Sequence, residues 1–70
     1  MDKIKLVKTS ESTWEGVNSS INISCSVSRE NGSYFVEITD IVGDVFTHED
    51  DEFRGAVRFI SEFIRTMDKG

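Results

Sequence analysis

Asp44, His48, Asp50 and Asp51 gather, within one short stretch, the side chains that ligate hard cations or move protons, and Cys25 is the single thiol. Carboxylate oxygens suit Ca²⁺ and Mg²⁺. The spacing matches no calcium loop, because the D-x-[DN]-x-[DN]-G pattern is missing. His48 is the only histidine and reads as a surface residue of a first helical turn rather than a catalytic base. Cys25 falls at a core position of a strand, where a thiol acts as a small buried hydrophobe and not as a nucleophile. A Gly-rich phosphate loop, a Cys/His zinc spacing and a nucleophile elbow are all absent from the sequence. The expectation is a non-enzymatic protein with no catalytic residue, metal or cofactor.

The acids have a second use. Between Glu30 and Glu52 the chain carries eight of them and no Lys or Arg, while the flanking segments nearly cancel. Concentrated charge makes a directional field that steers partners. Glu37, Asp40, Asp44, Glu49, Asp50, Asp51 and Glu52 are therefore the candidate contact residues for a basic partner protein. The plainer reading is a solvated loop followed by acids that complement a helix N-terminus. Trp14 and Phe35 join the candidates, since aromatics outside a core anchor interfaces. Phe59, at the edge of a helical stripe, has the same potential. For Trp14 the competing reading is a cover over the end of a small core. The acidic balance speaks against direct contact with DNA or RNA phosphates and against an anionic membrane surface.

Seventy residues predict one domain that buries about 60% of its unfolded surface. One cysteine makes no internal disulfide. The sequence Met1-Asp2-Lys3-Ile4-Lys5-Leu6 has no apolar run of signal-peptide length, and no stretch approaches a membrane span. These features predict a protein of the reducing cytoplasm, of a bacterium or a host cell. The Asn-x-Ser triplets at Asn18, Asn22 and Asn31 then reflect a Ser- and Asn-rich stretch and not glycosylation.

The elements that position these residues follow from periodicity. Residues 3–8 alternate lysine with Ile4 and Leu6, as an edge strand does. Residues 13–17 form a weaker second strand carrying Trp14. Residues 20–28 place Ile21, Ile23, Cys25 and Val27 on one face and Asn22, Ser24, Ser26 and Ser28 on the other. Asn31-Gly32 signals a type I′ hairpin, and the next strand covers 33–42. That turn sets Glu30 opposite Ser33, Val27 opposite Val36, Cys25 opposite Ile38 and Ile23 opposite Asp40. Gly43 marks a bulge or bend. Thr47 reads as the cap of a helix over 48–67, in an imperfect capping box with Asp50. Phe53, Ala56, Val57, Ile60, Phe63, Ile64 and Met67 form its apolar stripe.

The expected fold is α+β: a three- to four-stranded antiparallel sheet with one C-terminal helix on one face, β(β)ββα. The expected function is a small acidic binding protein that presents a negative surface to a basic partner, blocking a nucleic-acid-binding site as an inhibitor. In size and charge it is of a type with the compact acidic inhibitors of phages and mobile elements, though no motif carries a family. The alternative is a structural or assembly subunit, a homodimer formed through a sheet edge.

Overall fold

Asn31 and Gly32 reverse the chain in the computed structural model, which describes residues 5–69. Both take positive φ, 52° and 81°. A type I′ turn requires that backbone, and Asn and Gly adopt it with least strain. On either side β3 (Ile23–Glu30) and β4 (Ser33–Thr39) pair antiparallel. Val27 faces Val36 and Cys25 faces Ile38, the register that the alternation predicts. The ladder ends at Ser24 and Thr39, so Ile23 does not face Asp40.

β3 starts at Ile23 and not at Ser20. β2 (Thr13–Asn18) pairs with it through Asn18 opposite Ile23, which leaves residues 19–22 to make the connection. Asn18 Oδ1 accepts the Ser20 N–H at 2.9 Å, and Asn22 takes φ 54°. Asn serves a turn in both ways. Ile21 packs partly buried against the core from this loop.

The sheet has five strands, one more than the upper expectation, in the order β1-β2-β3-β4-β5 with every neighbour antiparallel. β1 (Val7–Ser10) is shorter than the alternation suggests. Lys3 and Ile4 lie outside the described residues, and Leu6 packs partly buried against the core. The additional strand is β5 (Val45–Asp50), the segment that reads as a helix start. Its formation depends on the loop before it. Asp40 Oδ1 accepts the N–H groups of Val42 at 3.1 Å and Asp44 at 2.9 Å. The Gly43 N–H donates to the Asp40 carbonyl at 3.0 Å, and Gly43 takes φ 94°. Gly43 is thus a turn glycine, not a bulge. The chain returns with Val45 opposite Thr39, and Val45, Phe46 and Thr47 suit a strand.

α1 (Phe53–Lys69) consequently starts at Phe53, not at residue 48. Glu52 is its cap residue: its carbonyl accepts the first helical bond, from Ala56 N–H at 3.1 Å. Thr47 caps nothing; it sits in β5 opposite Glu37. The acids precede the helix and none lies in its first turn. Ala56, Ile60 and Ile64 close over Ile23, Cys25, Val27, Val36 and Ile38 to form the core. Phe63 is half-buried at its margin and Met67 is exposed, so the stripe is wider than the surface that the sheet covers. Among the described residues no helix is long and apolar enough to cross a membrane.

Candidate functional site

Strand alternation sorts the candidate residues onto two faces of the sheet. On the helix side lie Trp14, Tyr34, Val36, Phe46, His48 and Asp50, as their cross-strand partners show. Trp14 packs 4.9 Å from the Phe53 ring and 6.1 Å from Tyr34, closing one end of the core. Lys8 Nζ lies 5.7 Å from the Trp14 ring centroid, within cation–π range.

Asp50 turns inward too. Its Oδ1 accepts the Glu52 N–H at 3.1 Å, and its Oδ2 lies 3.2 Å from His48 Nε2, whose N–H donates to it. These contacts, the Glu52 N–H first and His48 next, hold its carboxyl below the usual aspartate range. The His48 ring stacks on Phe59 with centroids 4.2 Å apart and planes 4° apart. Gly55 explains how the carboxylate fits. A Cβ at residue 55 would run into the Asp50 carboxyl group. The glycine that helix propensity disfavours is the one that lets Asp50 sit over the first turn.

The acids therefore do not converge into one cluster. Asp40 and Asp44 sit at one end of β5, and Asp50, Asp51 and Glu52 at the other. Asp44 and Asp50 are separated by roughly 20 Å of extended strand at ~3.4 Å per residue. Asp40 and Asp50 spend carboxylate oxygens on the backbone of their own turns. Asp44 stands far from His48, and among the described residues no three His, Cys, Asp or Glu side chains come together as metal ligands. Cys25 is buried, which pushes its thiol up to about 11 despite a hydrogen bond with the Gly16 backbone.

The other face of the sheet has no helix over it. Here the ladders align Glu15, Ser26, Glu37 and Thr47 across four strands. The neighbouring row holds Thr13, Ser28, Phe35 and Glu49, and Val17, Ser24, Thr39 and Val45 flank it on the far side. Glu30, opposite Ser33, continues the same face at the hairpin end. Glu37 and Glu49 are diagonal neighbours, about 7–8 Å apart, and Glu15 and Glu37 lie two strands apart, about 10 Å. The cations of these strands, Lys8 and Arg29, pair with Trp14 and Tyr34 on the helix side. The bare face thus carries Glu15, Glu30, Glu37 and Glu49 with no Lys or Arg among its strand residues. Phe35, 38% exposed, stands among them over a shallow trough lined by Ser26, Ser28, Glu37, Thr47 and Glu49.

Glu37, Glu49 and Phe35 are thus brought together from the expected set, whereas Asp40, Asp44, Asp50, Asp51, Glu52 and Trp14 stand elsewhere. Two residues of this face are not among the candidates: Glu15, which lies outside the acidic run, and Glu30, which opens it. The alternation of Thr13, Glu15 and Val17 about Trp14 carries the signal for Glu15, and the hairpin register carries it for Glu30. The chain matches no known protein family, no curated protein and no solved structure.

Proposed function

We propose that the chain is a non-enzymatic binding protein whose helix-free sheet face docks on a basic surface of a partner protein, occupying a site meant for nucleic-acid phosphates. One observation carries this reading: four glutamates share a face that has no cation in its strands, with an exposed aromatic among them. Spaced carboxylates on a rigid sheet steer and orient a basic partner. Phe35 supplies the apolar anchor that charge alone lacks. The surrounding serines and threonines, Ser26, Ser28, Thr39 and Thr47, offer hydrogen bonds with little side-chain freedom to lose.

The test is affinity capture from a host lysate with the wild-type chain and with the Glu37→Lys/Glu49→Lys variant. The expected result is a basic nucleic-acid-binding protein that is retained by the wild type, released at high salt and not captured by the variant. Equal capture by both proteins, unaffected by salt, overturns the reading.

A further inference from the structure

Beyond the helix-free face, β5 presents a free edge. Among the described residues it pairs with β4 alone, has no bulge and contains neither Pro nor Lys; the charges that guard it, Glu49 and the inward Asp50, are acidic. α1 closes over the core residues of β3 and β4, and its closest backbone approaches are to β4 and β5, at this margin of the sheet. Its Phe59 and Phe63 rings rest on His48 and Phe46, the latter pair 4.9 Å apart. The flank of the helix then continues outward as an apolar groove lined by Phe59, Phe63 and Met67 with Glu62 and Thr66. Phe59 and Phe63 thus stand above the outermost strand and border its open edge. The exposed Phe46 and Met67, at 38% and 43%, mark the place where a next strand would run.

We propose that a partner protein supplies that strand: an extended segment, alternating basic and apolar, that adds to β5 as a sixth strand. Its apolar side chains would pass beneath Phe59, Phe63 and Met67. Its basic ones would emerge on the helix-free side beside Glu49, with Asp44 and Asp51 at the two ends of β5. Strand addition combines ladder hydrogen bonds with pockets for alternate side chains, and both are present here. Charge decides the occupant. Neither β5 nor the lining of the groove contains Lys or Arg. A second copy pairing through its own β5 about a two-fold axis sets like charges against each other: Asp44 opposite Asp50 in one register, Asp44 opposite Glu52 in the next. A basic segment meets the opposite situation. This reading rests on the acidic docking role proposed for the helix-free face and extends it to the adjoining edge of β5, which shares Glu49 with that face.

The probe is the synthetic peptide acetyl-Lys-Val-Lys-Leu-Lys-Val-Lys-amide, titrated into the full chain and followed by amide and methyl resonances. Two further versions carry N-methyl groups, one on the apolar residues and one on the lysines. In a strand these two sets of N–H groups point to opposite edges, so only one version loses its ladder donors. The expected result is perturbation of the residue 45–50 amides and the Met67 methyl, with one methylated version binding about tenfold more weakly than the other. Met67→Ser weakens the unmodified peptide about fivefold, since its exposed methyl otherwise becomes buried. Equal binding by the two methylated versions overturns strand addition, as does no binding by any. Perturbation confined to Ser26, Phe35 and Glu37 overturns this inference and leaves the helix-free docking face standing. Shifts of the β5 amides on raising protein concentration without peptide assign the edge to a second copy and overturn the basic occupant.

Discussion

Gly55 and Asp50 are intelligible only as a pair. Glycine in a helix interior costs roughly 1 kcal/mol against alanine, yet the Asp50 carboxyl group fills the space that a Cβ at residue 55 would take. Gly55→Ala alone is therefore expected to destabilise the protein, because Asp50 must leave the Glu52 N–H and His48. In an Asp50→Ala background the same change is expected to stabilise, since only the propensity gain remains. Urea unfolding of the four proteins measures the sign of each step, and additive effects would refute the coupling. Acid gives a second handle. Asp50 is held below its ordinary value of 3.8, chiefly by the Glu52 N–H and then by His48. A carboxyl lowered on folding contributes stability that is whole above its unfolded pKa and is lost as pH falls through the folded one. The stability difference between wild type and Asp50→Asn should thus shrink as pH drops from about 5 to below about 4, the range in which the carboxylate takes up its proton. A difference that grows as pH falls from about 5 to about 2 would contradict the assigned contacts.

The loop at 40–44 decides whether β5 exists. Asp40 accepts two backbone N–H groups and closes the turn, whereas Asp44 offers only its backbone to Asp40. Removing such a cap costs about 1 kcal/mol. Asp40→Ala should therefore cost about 1 kcal/mol in chemical denaturation and Asp44→Ala less than ~0.5. Gly43→Ala should cost about 1–2 kcal/mol, because a positive φ burdens any Cβ even though no neighbour crowds it. Similar costs for Asp40→Ala and Asp44→Ala would mean that the side-chain bonds are dispensable. The same loop shows why the sequence misleads here. Strand alternation and the Asn31-Gly32 turn fix β3 and β4 because local preference and burial agree. Thr47-His48-Glu49-Asp50 satisfies the local pattern of a helix N-terminus, but Asp40 and Gly43 return the chain to β4, and sheet pairing overrides that pattern. Locating β5 requires reading Asp40 as a turn acceptor, and its place in an acidic run hides that role. The helix-free face was half visible for the same reason. Glu37 follows from the hairpin register, but Glu49 reads as part of a helix start, and Glu15 lies in a strand weakened by Gly16.

Taken together, the strands and the helix divide the molecule by charge. Glu15, Glu30, Glu37 and Glu49 occupy the bare sheet, while Arg54, Arg58 and Arg65 are exposed on α1 on the opposite side. Among the described residues Glu15, Glu30, Glu37 and Glu49 form no ion pair, and Glu37 is repelled by Glu49 and Glu15 across about 7–10 Å. Such an arrangement works against folding, as preformed binding surfaces commonly do. Glu37, central in this group, gives the clearest test. Glu37→Gln should leave stability unchanged or raise it by a few tenths of a kcal/mol at low salt. The gain should vanish near 1 M salt, where the screening length falls to ~3 Å. Glu62→Gln on the helix, next to Arg58 and Arg65, serves as the control and should give no gain. Thermal unfolding of the three proteins at both salt concentrations measures the effect. A loss of stability in Glu37→Gln that survives high salt would show the carboxylate holding the sheet together, and the acidic face would then be a product of folding and not a surface kept for a partner. A gain that salt abolishes, alongside loss of partner capture in Glu37→Lys/Glu49→Lys, would locate stability and recognition in opposition at the same side chain.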